Sequence, residues 1–219
     1  MARDVSVTTR RLPVYLVVDR SGSMAGEPIA AMEMGIRSLI GELIHDPQAM
    51  DTVWLSVIAF GSVPELLVPL TDIRDFQVPT LDAFGTTSLG EAVDLLAERI
   101  EEEVRKTTQD QKGDFKPLVY LFTDGSPTDE WEEPVNAFRA ADLATVVACG
   151  AGADVAPEKL KRLSDKVVLL RDTAPGTLGK FMDWVSKSVT MTSRSLGTRT
   201  ASGAELPDLP EDQGMQMLP

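Results

Sequence analysis

The chain has 219 residues, 43% of them hydrophobic and 25% charged, which is enough for one α/β domain with a sizeable core and too few for two of comfortable size. Its formal net charge of −13 argues against a nucleic-acid or anionic-membrane surface, because counterion release requires clustered Lys and Arg. A single cysteine, Cys149, cannot form an internal disulfide and sits in the apolar run Ala144 to Cys149, so it reads as core packing.

The first eleven residues, ending in Thr8-Thr9-Arg10-Arg11, contain no apolar core of the signal-peptide kind. No apolar run approaches the roughly 20 residues needed to cross a bilayer. A cytoplasmic location with no membrane partner is the expectation.

Pro13-Val14-Tyr15-Leu16-Val17-Val18 is a short apolar run rich in β-branched residues, the pattern of a strand buried on both faces. It ends on Asp19. Glu27-Pro28 then opens a segment with Ile29, Met32, Ile36, Leu39, Ile40 and Leu43 at helical spacing, proline being tolerated in the first turn. His45-Asp46-Pro47 closes that helix, and His45, the only histidine, reads as a surface or capping residue at its far end.

A second strand-like run, Val53 to Phe60, is followed after Gly61-Ser62 by a third, Leu66 to Leu70, whose internal Pro69 confines it to a sheet edge. The short connection makes the two an antiparallel pair. Ser88 and Glu91 then have the spacing of a capping box, and Leu89, Val93, Leu96, Ile100 and Val104 continue as an amphipathic helix with Glu101-Glu102-Glu103 largely solvated. The next buried strand, Leu118 to Phe122, also ends on a carboxylate, in Thr123-Asp124-Gly125.

Helices beginning near Pro134, Pro157 and Thr177 alternate with strands at Thr145 to Cys149 and Val167 to Leu170. The expected fold is α/β: a doubly wound, mostly parallel, Rossmann-like sheet with helices on both faces and one antiparallel edge strand. From about Met191 the apolar periodicity stops and Ser, Thr, Gly and Pro take over. The expected organisation is therefore an N-terminal extension over 1–10, one domain over 11–190 and a flexible tail over 191–219.

Chemistry concentrates at the strand ends. In a parallel sheet all C-terminal strand ends face one edge, and ligands bind in the crevice where strand order reverses. If the strands of Asp19 and Asp124 are neighbours, the loop carrying Thr87 need only reach the same crevice. Five oxygen ligands then converge from separate segments: Asp19, Ser21, Ser23, Thr87 and Asp124. Small hard-oxygen side chains turned toward one point suit a Mg²⁺-sized cation. Ser126 and Asp129 read as turn-shaping and helix-entry residues.

Asp19-x-Ser21-x-Ser23, the Gly85-Thr86-Thr87-Ser88 loop and the strand-ending Thr123-Asp124-Gly125 resemble, in this order, the von Willebrand factor A domain and its metal-ion-dependent adhesion site. The likeness covers roughly residues 11–189. Within that superfamily, Arg11-Leu12-Pro13-Val14-Tyr15, Gly26-Glu27-Pro28-Ile29, Val68-Pro69-Leu70-Thr71, Lys116-Pro117-Leu118-Val119 and Thr123-Asp124-Gly125-Ser126-Pro127-Thr128-Asp129 are similar to bacterial TerY-type proteins of tellurium resistance.

The resemblance implies that Ser21, Ser23 and Thr87 contact the metal directly or through water, while Asp19 and Asp124 act through waters. Mg²⁺ is the ion it implies, with Mn²⁺ or Ca²⁺ as alternatives. It further implies a non-enzymatic module whose cation takes a carboxylate from a protein partner, in a tellurite or stress-response system. Two departures stand out. Arg20 occupies a position that is usually small or hydroxylated, and Thr86 replaces a common glycine, leaving Thr86 and Thr87 both open as the ligand. Thr87 is preferred because Ser88 aligns better with the family loop.

The rival reading is a Mg²⁺-dependent phosphohydrolase of doubly wound fold, with Asp19 attacking phosphorus and Asp124 holding the metal. Families of that kind carry Asp-x-Asp at the first strand. Here Ser21 stands at the second position and removes the acid/base carboxylate. A Ser-His-Asp triad would require His45 to cross the domain, there is no phosphate loop ending in Gly-Lys-Ser/Thr, and one Cys with one His disfavours zinc.

Overall fold

Each residue of the first strand, β1 (Leu12–Asp19), is buried, because the sheet carries a helical layer on both faces. The computed structural model describes residues 10–153, 155–197, 206–209 and 214–218. The extension expected over 1–10 therefore lies outside the described residues apart from Arg10. The other elements are α1 (Glu27–Leu43), α2 (Pro47–Thr52), β2 (Val53–Phe60), β3 (Pro64–Asp72), α3 (Leu89–Glu103), β4 (Leu118–Thr123), α4 (Glu132–Ala141), β5 (Thr145–Ala151), α5 (Pro157–Leu163), β6 (Val167–Leu170), α6 (Pro175–Gly197) and β7 (Met215–Leu218).

These strands form one sheet in the order β3-β2-β1-β4-β5-β6-β7. The pairs β1–β2, β1–β4, β4–β5 and β5–β6 are parallel. The chain steps from β1 outward to β2 and β3, and later returns to place β4 on the other side of β1. Strand order thus reverses between β1 and β4, where an open α/β sheet leaves a crevice beyond its strand ends. The doubly wound, mostly parallel sheet expected from the alternating pattern is what forms.

Alternation along β1 divides the core. Leu12, Val14, Leu16 and Val18 face the layer made by α1 and α6, with Met32, Ile36, Leu39, Phe181, Trp184 and Val185. Tyr15 and Val17 face the opposite layer of α3, α4 and α5, with Val93, Leu96, Val135, Phe138 and Leu160. Helices α1 and α6 pack closely enough that a Cβ on Gly35 would come within 2.4 Å of Met182 Cγ. Each fully buried aliphatic side chain contributes about 1.5–3 kcal/mol relative to exposure, so the two layers hold the β1/β4 strand ends in fixed register.

β3 is an antiparallel edge strand, as its internal proline predicts, and the β2–β3 register shifts on either side of Val57. A second antiparallel edge strand, β7, pairs with β6 from Val167↔Leu218 to Leu170↔Met215.

The tail expected from 191 onward is corrected in two places. α6 continues to Gly197 and crosses the boundary expected at 190, and residues 215–218 are strand. The periodicity that stops near Met191 does so because α6 buries polar residues: Ser188, Thr192 and Ser193 are each no more than 2% exposed. Tyr120 OH and Ser188 Oγ lie 2.6 Å apart, and Thr52 Oγ1 and Ser193 Oγ 2.8 Å apart, so the buried hydroxyls are paired across the interface. Residues 198–205, 210–213 and 219 of the expected tail lie outside the described residues.

Asp46-Pro47, which closes α1, also opens α2. Asp46 is its N-cap, with Oδ1 accepting from Ala49 N–H at 2.9 Å, and Pro47 sits in the first turn. No helix among the described residues is long and apolar enough to cross a membrane.

Candidate metal centre

Asp19 terminates β1 and Asp124 follows the last residue of β4, Thr123. Because those strands are parallel neighbours, paired from Val14↔Leu118 to Val18↔Phe122, both carboxylates lie at the switch-point edge. The loop after β1 turns at once. Ser21 N–H donates to Asp19 Oδ1 at 2.8 Å, and the chain enters a short 3₁₀ turn over Gly22–Met24. This Asx-type turn brings the alternate hydroxyls to one side. Ser21 Oγ and Ser23 Oγ lie 3.0 Å apart, and Ser23 Oγ donates to Asp124 Oδ1 at 2.8 Å.

Thr87 arrives on a loop fastened on both sides. Gly22 N–H donates to Gly85 O at 3.0 Å, and Ser88 N–H to Gly61 O at 3.0 Å. Toward β4, Thr87 N–H donates to Thr128 Oγ1 at 3.1 Å and Thr128 N–H to Thr87 O at 2.9 Å. The turn needs Gly85, whose φ of +82° is a left-handed conformation and whose Cβ would fall 2.2 Å from Ser62 Oγ. A Cβ on Gly125 would lie 3.5 Å from Thr87 Oγ1, so that hydroxyl faces the loop of Asp124. Thr86 is exposed and directs Oγ1 toward Ser62 Oγ at 3.4 Å, whereas Thr87 is buried. The structure therefore brings all five sequence-predicted residues together at one edge, with Thr87 inside and Thr86 outside.

Thr123 is part of this cluster and was not among the predicted residues. Its Oγ1 donates to Asp19 Oδ2 at 2.6 Å, so both Asp19 oxygens are engaged within the fold. The signal was present in the sequence: in a strand buried on both faces, a hydroxyl beside the terminal carboxylate requires a polar partner. Burial raises the Asp19 pKa above the ordinary carboxylate range. The bonds from Thr123 and Ser21 oppose that shift, and the Asp124 charge adds to it. A cation held at this edge would supply the positive charge that a buried Asp19 lacks.

Two local expectations resolve differently from their motifs. The Ser88–Glu91 box does not close: Ser88 Oγ donates to Ser62 O at 3.0 Å, and Glu91 N–H is capped instead by Asp129 Oδ2 at 3.1 Å. Asp129 thus has the helix-entry role read for it, on α3 rather than on the helix that follows it. Arg20 carries its side chain away from the five oxygens. Its guanidinium bonds Glu65 Oε2 at 2.8 Å and lies 4.7 Å from the Phe84 ring centroid. His45 Nδ1 lies 2.5 Å from Gly41 O at the end of α1, the capping place expected. Cys149 is buried, which pushes its thiol pKa up.

The donor set is hydroxyl-rich: among the described residues no three His, Cys, Asp or Glu side chains form a metal cluster. That chemistry fits a hard cation and not a soft one. Ser21 Oγ and Ser23 Oγ, 3.0 Å apart, are close enough to reach one cation together.

The family described as von Willebrand factor type A domain matches residues 14–181 of this sequence. Among solved structures, von Willebrand factor type A from Catenulispora acidiphila gives a TM-score of 0.66 at 18% identity, covering 83% of this chain and 43% of that one. Proximal thread matrix protein 1 from the mussel byssus, with a zinc-occupied MIDAS motif, gives 0.60 at 16% identity, covering 82% and 48%. The ArnB paralog VWA2 from Sulfolobus acidocaldarius gives 0.57 at 15% identity, covering 84% and 46%. This chain spans less than half of each of those structures, and at these identities the likeness is one of fold. No curated protein sequence matches this one.

Proposed function

Because the chain belongs to the von Willebrand factor type A domain family, commonly metal-dependent protein interaction modules, we propose that it binds a divalent cation at the β1/β4 edge and docks a protein partner through it. Ser21, Ser23 and Thr87 hold the ion, with Asp19 and Asp124 acting through water. Mg²⁺ is the assigned ion, a small hard cation suited to a hydroxyl-rich oxygen donor set. The observation that carries this reading is the convergence of Ser21, Ser23 and Asp124 oxygens in one hydrogen-bonded chain beside Asp19 and Thr87.

What the bound ion supplies is an electrophilic position for an anionic oxygen, here a carboxylate of the partner. The protein's own residues orient that position and keep its charge high. Hydroxyls dominate the donors, so little of the cation's charge is neutralised. Both Asp19 oxygens accept hydrogen bonds from within the fold, which supports a supporting carboxylate over a nucleophile and binding over phosphoryl transfer. The motifs similar to TerY-type proteins support a bacterial tellurite or stress-response system as the setting of this docking, and a cytoplasmic location is part of the same reading.

The test is capture of partners from a host lysate in Mg²⁺ and in EDTA, with hydrolysis of p-nitrophenyl phosphate measured in parallel. The proposal expects partners retained only with Mg²⁺, lost in Thr87→Ala, and no turnover. Metal-dependent hydrolysis abolished by Asp19→Ala would replace docking with catalysis.

A further inference from the structure

Two large apolar residues stand in solvent on the loops that build the candidate metal centre: Val63, 64% exposed, and Phe84, 50% exposed. Singly exposed hydrophobic residues are ordinary. What distinguishes Phe84 is how it is held. Its N–H donates to Arg20 O at 2.8 Å, and its own carbonyl oxygen sits where a Cβ on Gly61 would come within 2.5 Å. Its ring lies over the guanidinium of Arg20, a buried residue that is anchored to Glu65 and whose Nε has no hydrogen-bond partner. The turn that carries Val63 is fastened to the same loop by Thr86 N–H to Ser62 Oγ at 3.1 Å and Ser88 N–H to Gly61 O at 3.0 Å. A half-exposed aromatic whose conformation is already fixed loses little entropy on contact, the property of an interface anchor.

Charge narrows what can meet it. Glu27 at the start of α1 and Asp82 and Glu130 on loops are exposed, while Glu65 on β3 is paired with the buried Arg20. A partner bringing only acidic groups is repelled by that rim, whereas one acid flanked by cations is complementary to it.

Resting on the metal-docking reading above, we propose that the partner segment is bipartite. It offers one Asp or Glu to the metal and, beside it, an aromatic or large aliphatic side chain that seats on Phe84 and Val63, with Lys or Arg flanking the pair. Arg20, the unusual residue between Asp19 and Ser21, is the positioning residue for Phe84.

A phage-displayed library of short peptides, each with one central Asp or Glu and random flanks, tests this when selected on the full chain in Mg²⁺ and in EDTA. The Mg²⁺-dependent pool is expected to show a large apolar residue at a fixed offset from the acid and an excess of Lys and Arg. A synthetic peptide from that pool is expected to lose about tenfold in affinity on Phe84→Ser, and to keep most of it on Phe84→Leu, with Mg²⁺ affinity by calorimetry unchanged in both. A Mg²⁺-dependent pool with the acid but no apolar preference overturns the bipartite partner and leaves the metal reading standing. So does a peptide affinity that Phe84→Ser and Val63→Ser leave unaltered. Identical pools with and without EDTA, together with no Mg²⁺ heat in the wild type, overturn the metal reading and the bipartite partner with it.

Discussion

Thr123→Val perturbs the candidate centre without replacing any of the five predicted residues. Thr123 is 2% exposed, Asp19 is fully buried, and the bond between Thr123 Oγ1 and Asp19 Oδ2 is 2.6 Å long. Valine keeps nearly the same shape and removes the donor. A hydrogen bond to an ionised group contributes about 1.5–3 kcal/mol, so the variant is expected to lose that much stability at neutral pH. Burial already raises the Asp19 pKa and the Thr123 bond opposes it, so the substitution raises it further. For a carboxyl whose folded pKa lies above its unfolded value, the penalty exists above the unfolded pKa and fades as pH falls through that range. The loss in Thr123→Val is therefore expected to shrink in acid. Metal binding requires the ionised form, so Mg²⁺ affinity is expected to fall, and to fall more as the pH is lowered. Urea denaturation across pH, with Mg²⁺ calorimetry, measures both. Asp19→Asn supplies the control, since its amide oxygen still accepts from Ser21 N–H while its NH₂ donates to the Thr123 hydroxyl. A loss that is equal at neutral and acid pH, and equal in the Asp19→Asn background, would refute the reasoning.

Asp46→Ala removes the α2 cap and the ion pair with Arg194, and a loss of about 1–2 kcal/mol is expected by chemical denaturation. In Asp46→Asn the cap survives but the ion pair does not. Burial of Asp46 is outweighed by the Ala49 N–H and Arg194, which hold its pKa low. The wild-type advantage over Asn is thus present above the unfolded carboxyl pKa and is lost as pH falls through the lowered folded value. Asp129→Ala uncaps α3 at Glu91 and is expected to cost about 1 kcal/mol while Mg²⁺ heats stay within error. Deleting residues 214–219 strips β7 from β6, and a fall in urea midpoint equivalent to about 1–2 kcal/mol with no change in metal affinity is expected.

The strand ends were legible because burial on both faces makes β1 and β4 continuous apolar runs, so a terminal carboxylate in each stands out against them. Thr87 could be separated from Thr86 only through the family loop, and the structure separates them physically: one hydroxyl faces Gly125, the other Ser62. The Ser88–Glu91 pair misled because a capping box is a local pattern, whereas the cap here comes from Asp129 across the β4 loop. The end of α6 was hidden for the opposite reason. Its inward positions carry Ser188, Thr192 and Ser193, and polar residues at core positions erase the apolar period that a helix is read from. β7 has no β-branched residue; it becomes a strand through the unpaired edge of β6. Arg20 stands out in the motif by residue type, and its long side chain is accommodated against Glu65 and Phe84.

Calorimetric titration of Mg²⁺ into the wild type, Asp19→Ala and Thr87→Ala tests the central claim most directly. The account predicts a single binding event in the wild type that is weakened by at least about tenfold, equivalent to 1.4 kcal/mol, in each variant. Unchanged affinity in both variants, or no binding in any of the three, would contradict it.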